Sequence, residues 1–440
     1  MDSRASRSCE TASVLPVSGN ALARVRRVLR LLGSGVVTGA ADDDPSGIAT
    51  YSPVGAQFGF SMLWTILFIY PFMAAIQEIS ARLGRVTGRG IAGNIRNFYS
   101  SRFLYGIIGL LLFANVVNIG ADIAATGSAA NLLAGGPVLL YCILFTAVSV
   151  LLQIFVPYKT YSRFLKWLTL SLFAYVGTVF VVRIHWAEAL RGSFVPNLSL
   201  KREYMAALIA VLGTTISPYL FFWQSAEEVE KMDSAPKEKP LKAAPGQASS
   251  HLHRIKVDTY IGMAFSNLIS YSIILTVAAT LHANGKTDIN SAAQAAEALR
   301  PVAGPLASLL FSLGILGTGL LAVPVLGGSA AYAVGEALGW PVGMERKAHE
   351  AKAYYAVLAF ATLIGLGLNF IGIDPIRALV WSAIINGMIA APVMGLMMLL
   401  ASNRRVMGGL ILPVYLKVLG WAGAAAMALA AIGVFVTAGK

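Results

Sequence analysis

Asp44-Pro45-Ser46-Gly47 and Thr214-Thr215-Ile216-Ser217-Pro218 interrupt otherwise apolar stretches of this chain. The first brings a carboxylate and the second brings hydroxyls, and each holds a proline that leaves an upstream carbonyl without its helical partner. Oxygens of these kinds suit hard cations such as Mg²⁺, Ca²⁺ or Mn²⁺ rather than soft metals. In the first break Asp42, Asp43 and Asp44 arrive together, and Gly47 tolerates any backbone conformation. A helix entering through Gly33, Gly35 and Gly39 is expected to stop there and resume near Ile48. A charge deep in a bilayer is costly and marks function by default. The other reading, acids on a surface loop, is opposed by the apolar run 48–72. In the second break 206–212 reads as helix, 213–218 as the interruption, and helix again from Tyr219. Thr214 and Ser217 are spaced to share a face. Such hydroxyls also serve simply to satisfy a neighbouring carbonyl. Their pairing with a break at the matching place in the other half favours a binding role.

The elements that carry these breaks are membrane spans. Of the 440 residues, 57% are hydrophobic and only 12% charged, with a mean hydropathy of +0.69. Soluble domains do not have that composition. Stretches long enough to cross a bilayer fall near 33–54, 57–81, 104–133, 137–156, 162–183, 204–228, 257–281, 303–335, 354–373, 377–401 and 411–437. The stretches 104–133 and 303–335 are long enough to be tilted spans with extensions. Residues 20–32 read as a basic amphipathic lead-in at the cytoplasmic headgroups. Residues 233–251, rich in Pro, Ala, Lys and Ser, read as a disordered cytoplasmic linker. No cleavable leader is expected in 1–19, and Cys9 and Cys142 make neither a disulfide framework nor a metal cluster.

Net charge +13 follows the positive-inside pattern. Arg24, Arg26, Arg27 and Arg30 precede the first span, and the loops on the same side hold Arg82, Arg85, Lys159, Arg163, Lys347 and Arg404. The N-terminus is expected inside and the C-terminus outside a plasma or inner membrane. Arg183, Arg191, Lys201 and Arg202 are the main exception. Basic tracts with interleaved aromatics are missing, so nucleic acid is excluded as a partner. The histidines His185, His251, His253, His282 and His349 lie in loops or at helix ends. A proton relay would have to use Glu78, Asp122 and little else.

The segments 41–59 (ADDDPSGIATYSPVGAQFG), 77–88 (QEISARLGRVTG) and 213–225 (GTTISPYLFFWQS) resemble the NRAMP divalent-metal transporter family. The likeness extends more weakly over spans one to ten. It implies an all-α integral membrane protein of LeuT-type fold, with two inverted five-helix repeats (about 33–183 and 204–401) and an eleventh helix (about 411–437). Typical members read Asp-Pro-Gly-Asn at the first break and Ala-Thr-Val-Met-Pro-His at the second. By that likeness Asp44 and Pro45 match the metal-binding Asp and its Pro. Gly47 stands for the ligand Asn, Ser217 for the thioether Met and Thr214 for the Ala whose carbonyl binds metal. Tyr219 and Gln224 stand where His occurs. Asp122 fits a family acid, Ala125 replaces a Glu, and Ala383 replaces a Gln with Asn386 nearby. Loss of the soft ligand removes the preference for Fe²⁺, Mn²⁺ and Cd²⁺ over harder ions. A side chain lost at Gly47 leaves room for an ion that keeps waters, as Mg²⁺ does. These departures resemble the prokaryotic NRAMP-related magnesium transporters.

The expectation is therefore a secondary transporter, not an enzyme, with no cofactor. Asp44, Ser46, Gly47, Thr214 and Ser217 would hold partly hydrated Mg²⁺, or Mn²⁺, for uptake by alternating access without proton coupling. A proton-coupled Mn²⁺/Fe²⁺ symporter using Asp122 and Glu78 is the alternative within transport. A non-transporting cation sensor or scaffold is the alternative from another class, although no sizeable soluble output domain is seen. Glu227, Glu228 and Glu230 could form an acidic vestibule or could pair with Lys231 and its neighbours. Asn267 could bridge helices around the site or make a packing hydrogen bond.

Overall fold

A computed structural model describes residues 38–39, 41–156, 160, 170–235, 237–289, 291–372 and 374–438. The predicted lead-in 20–32 and residues 162–169 of the fifth predicted span lie outside these. The principal helices are α1 (Pro45–Phe58), α2 (Leu63–Thr87), α3 (Ile91–Phe98), α4 (Ser101–Ala134), α5 (Val138–Phe155), α6 (Phe173–Val179) and α7 (Trp186–Phe194). They continue with α8 (Arg202–Thr215), α9 (Pro218–Asp233), α10 (Ala248–Thr280), α11 (Ala307–Leu338), α12 (Lys352–Leu368), α13 (Pro375–Ser402) and α14 (Val414–Ala438). Among the described residues 9 helical stretches are long and apolar enough to cross a membrane. One of them, Pro45–Thr87, joins α1 and α2 through a 3₁₀ turn at Gly59–Met62. The long helices expected around 104–133 and 303–335 are α4, with 34 residues, and α11, with 32. At about 1.5 Å per residue each exceeds a hydrocarbon core of about 30 Å.

Helices α1, α4, α8, α10 and α13 surround the two breaks. α10 packs on α1 and α2, α13 on α4 and α8, and α4 on α11 and α12. Two apolar clusters fill the two ends of this bundle. One gathers Ala41, Ile119, Ile216, Tyr219 and Met263, and the other gathers Ile48, Tyr51, Ala125, Val211 and Ile273. Where they meet, α4 turns Asn118 and Asp122 inward, α10 turns Ser266 and α13 turns Ser382, all buried. The breaks lie in this polar layer, between the two apolar clusters.

Two departures from expectation are local. Residues 233–251 are pinned rather than loose. The Leu241 and Lys242 N–H groups donate to the Arg85 and Val86 carbonyls at 3.2 and 3.0 Å, and Arg85 pairs with Glu238 at 2.7 Å. The last carbonyls of α2 have no helical partner and find one there. α10 also starts at Ala248, a turn and more before the apolar run, because its first turns are amphipathic rather than membrane-embedded.

Candidate metal-ion site at the paired helix breaks

Both breaks are shorter than the sequence suggests. Pro45 and Pro218 each open a helix at its first position, where a missing N–H costs nothing and the ring's fixed φ is already helical. Asp44 is the N-cap of α1, with φ −65° and ψ 170°. Its carboxylate accepts the Gly47 N–H at 3.0 Å, the usual role of an N-cap aspartate. Helix α1 therefore resumes at Pro45, not near Ile48, and Ser46 and Gly47 sit in its first turn. In the second half α8 runs on through Thr215, helped by the Thr215 hydroxyl donating to the Val211 carbonyl at 2.6 Å. Only Ile216 and Ser217 are non-helical before Pro218. The Ser217 hydroxyl leaves α9 uncapped and turns back to the Gly213 and Thr214 carbonyls at 2.7 and 3.2 Å.

The breaks touch. The Ser46 and Thr214 hydroxyls are 3.0 Å apart, and Ser46 donates to Asp44 Oδ1 at 2.5 Å. Asn118 Nδ2 and the Tyr219 hydroxyl reach Asp44 Oδ2 at 3.2 and 3.3 Å. The Tyr219 hydroxyl is also 3.1 Å from the Ala41 carbonyl, and Thr38 donates to Gln224 across the same gap. Asp44, Ser46 and Thr214 thus form one connected group, and Ser217 joins it through the Thr214 carbonyl. Gly47 offers this group an N–H and no side-chain oxygen. The space beside it is bounded by Tyr51, whose ring carbon would stand 3.3 Å from an added Cβ.

Sequence reasoning missed Asn118 and Ser382. The Ser382 hydroxyl donates to Asn118 Oδ1 at 2.8 Å, which orients the amide so that its N–H₂ faces Asp44. The available signal was a pair of asparagines, Asn115 and Asn118, in one apolar span. Asn386, by contrast, has neither side-chain atom hydrogen-bonded. Glu228 pairs with Arg254 at 2.5 Å, and Glu227 lies 3.6 Å from Lys231. Glu230 accepts from the Tyr332 hydroxyl and from the Glu345 N–H at 2.6 Å. Pairing thus accounts for Glu227 and Glu228, while Glu230 faces a cavity of about 380 Å³ shared with Asp233, Glu345 and Glu350.

Charge is the dominant property of the polar layer. Asp42, Asp43, Asp44 and Asp122 are all buried, 0–4% exposed. Among the described residues none of them meets a basic side chain. Ser266 donates to Asp42 at 2.6 Å and lies 3.1 Å from Asp43. Asp122 faces the Ser46 backbone N–H and has no side-chain hydrogen-bond partner. The N-terminal ends of α1 and α9 bring partial positive charge to the layer and the end of α8 brings carbonyls. Acid groups buried without basic partners are costly to keep ionised, and a bound cation would offset that cost. Among the described residues no three His, Cys, Asp or Glu side chains converge as a metal cluster, so any ion here would be held largely by neutral oxygens. A cavity of about 230 Å³ opens beside Pro45 and Ile48, walled by Ala125, Ile315 and Leu379 and reaching Asp374 at one end of the bundle.

Over residues 35–437 the chain matches the family described as natural resistance-associated macrophage protein-like (Nramp). The chain belongs to the Nramp family. A divalent metal cation transporter MntH of Deinococcus radiodurans is 26% identical over 409 residues, spanning 90% of this chain and 87% of the relative. One from Xanthomonas campestris pv. campestris is 27% identical over 403 residues, spanning 90% and 87%. The structure of the Eremococcus coleocola manganese transporter superposes with a TM-score of 0.73 at 16% identity, covering 96% of this chain and 89% of that one. MhsT in complex with L-phenylalanine superposes with a TM-score of 0.60 at 15% identity, covering 92% and 98%. This Nramp chain accordingly has the all-helical LeuT-type fold that the resemblance implied.

Proposed function

We propose that this Nramp-family chain is a secondary transporter of divalent metal ions that takes up partly hydrated Mg²⁺, and also Mn²⁺, without proton coupling. The observation that carries the reading is the layer of buried acids at the junction of the two breaks, which meet no basic side chain among the described residues. Relatives named as divalent metal cation transporters and a neighbour named as a manganese transporter support metal transport as the general activity. The ligand chemistry supports the choice of ion. Asp44 would give the charged oxygen, Ser46, Thr214 and Ser217 their hydroxyls, and the end of α8 its carbonyls, while Gly47 adds only a backbone N–H. No sulfur lies among them, which favours a hard cation. Mg²⁺ gives up its waters reluctantly and is well served by one carboxylate and neutral oxygens.

In this reading residues 33–183 and 204–401 are inverted repeats, and the helices that carry the breaks rock against the others. The N-terminus is cytoplasmic. Uptake of Mg²⁺ into proteoliposomes by the native chain and by Asp44→Ala is the direct test. Uptake by the native chain alone is expected, and equal uptake by both would defeat the proposal.

One observation favours a second reading, a proton-coupled Mn²⁺/Fe²⁺ symporter. Asp122 is buried beside the site, facing the Ser46 backbone N–H and free of any side-chain hydrogen-bond partner. Its proposed relay partner Glu78 is already engaged, by Arg82 at 2.7 Å and by the Tyr415 hydroxyl at 3.3 Å. That engagement weakens the relay and leaves uncoupled transport as the better reading.

A further inference from the structure

At the end of the bundle away from the α9–α10 connection lies a cavity of about 730 Å³ that the metal site does not use. Its walls are the α1–α2 turn, residues 183–197 and the end of α10. Arg183, Arg191, His185 and His282 line it, with Glu188 as the acidic member. Among the described residues neither arginine is ion-paired. These arginines are the departure from the positive-inside pattern, so charge has been placed here against the usual bias.

We propose that this cavity binds a phosphate-bearing anion, supplied by the headgroup of an anionic phospholipid. Guanidinium groups present paired donors that match phosphate oxygens, and free arginines at a cavity mouth retain those donors. The source follows from the surroundings. Phe180 and Leu200 are each 84% exposed, and Trp186, Leu190, Phe194 and Leu198 are also exposed. In a membrane protein such side chains face lipid, and arginines interleaved with them sit at headgroup depth. The cavity also reports on the transport helices. Gly59 at φ +59° lies against the His282 ring, and a Cβ on Gly192 would stand 2.1 Å from the Phe60 carbonyl oxygen. The cavity wall is therefore the turn that fixes α1, whose other end is capped by Asp44.

The test is retention of phosphatidylglycerol against phosphatidylcholine by the full-length chain, read by native mass spectrometry. A parallel arm reads thermal protection by inorganic phosphate. The native chain is expected to retain phosphatidylglycerol selectively, and Arg183→Gln/Arg191→Gln to lose it about tenfold or more, as expected for charge-assisted hydrogen bonds. Equal retention by both would overturn the proposal. Protection by inorganic phosphate without lipid retention would keep the anion site and overturn its lipid source. Glu188→Gln removes the opposing charge and is expected to tighten retention. If the double variant does not fold, unchanged or weaker retention by Glu188→Gln overturns the proposal by itself.

Discussion

Ser46, Gly47, Asn118 and Tyr219 all direct donors at Asp44, so its carboxylate is held in one orientation before any ion arrives. A metal would displace the Ser46 hydroxyl proton from that contact and use its lone pairs, while Asn118 and Tyr219 could stay in place. In the proposed site Asn118 would act from outside the coordination sphere. Asn118→Leu is expected to lower Mg²⁺ affinity by about 10- to 100-fold, the usual cost of losing an outer-sphere partner, as titration calorimetry would show. Unchanged affinity would remove Asn118 from the site. In the proposed site Ser217 would set the softness of the ligand set. Ser217→Met should raise Cd²⁺ and Mn²⁺ uptake relative to Mg²⁺ because it returns a thioether to an oxygen site, and competition flux assays measure that ratio. Asp44 was legible in sequence because a carboxylate in an apolar run is too costly to be idle. Asn118 and Ser382 were not, since single polar residues in spans usually serve packing. Only their meeting across α4 and α13 gives them a role.

At the scale of helices, each proline reads in sequence as a breaker and in the structure starts a helix. Composition located each interruption but not its length, because Pro at a first helical position ends nothing. What holds the broken pair against its neighbours is close backbone approach. A Cβ on Gly213 would stand 2.1 Å from the Ala383 carbonyl oxygen and 2.4 Å from the Gly387 nitrogen, so α8 and α13 meet almost backbone to backbone. A Cβ on Gly39 would meet the Gly262 carbonyl oxygen at 2.3 Å on α10. Gly213→Ala must push α8 away from α13 and should cost about 1–3 kcal/mol, the range for overpacking. Gly106→Ala on α4 meets nothing within 4 Å and should be neutral or stabilising by up to about 1 kcal/mol. Thermal unfolding in detergent compares the two. Equal midpoints would show that the α8–α13 contact is loose. The eleven apolar stretches predicted nearly all of these helices, whereas the approach distances depend on which glycines face which backbone, and a sequence pattern does not carry that.

For the whole molecule, the distribution of charge sets the direction and cost of transport. Among the described residues the buried acids of the polar layer meet no lysine or arginine, so a bound divalent ion would have no basic side chain competing for their oxygens. An ion carrying two charges through this layer moves them across the membrane field. At about 2.3 kcal/mol per charge per 100 mV, an inside-negative potential of that size drives a divalent ion inward by about 4.6 kcal/mol. A co-transported proton would add driving force but needs a chain of exchangeable groups through the bundle. Here Asp122 has no side-chain hydrogen-bond partner to pass a proton to, and Glu78 is tied to Arg82. Mg²⁺ uptake into proteoliposomes should therefore accelerate when a potassium diffusion potential is made inside-negative, while a pH dye in the lumen stays constant. Asp122→Asn should leave any proton signal at background because none is carried. A lumen that acidifies in proportion to uptake, with the signal abolished in Asp122→Asn, would instead make Asp122 the proton carrier and the chain a symporter.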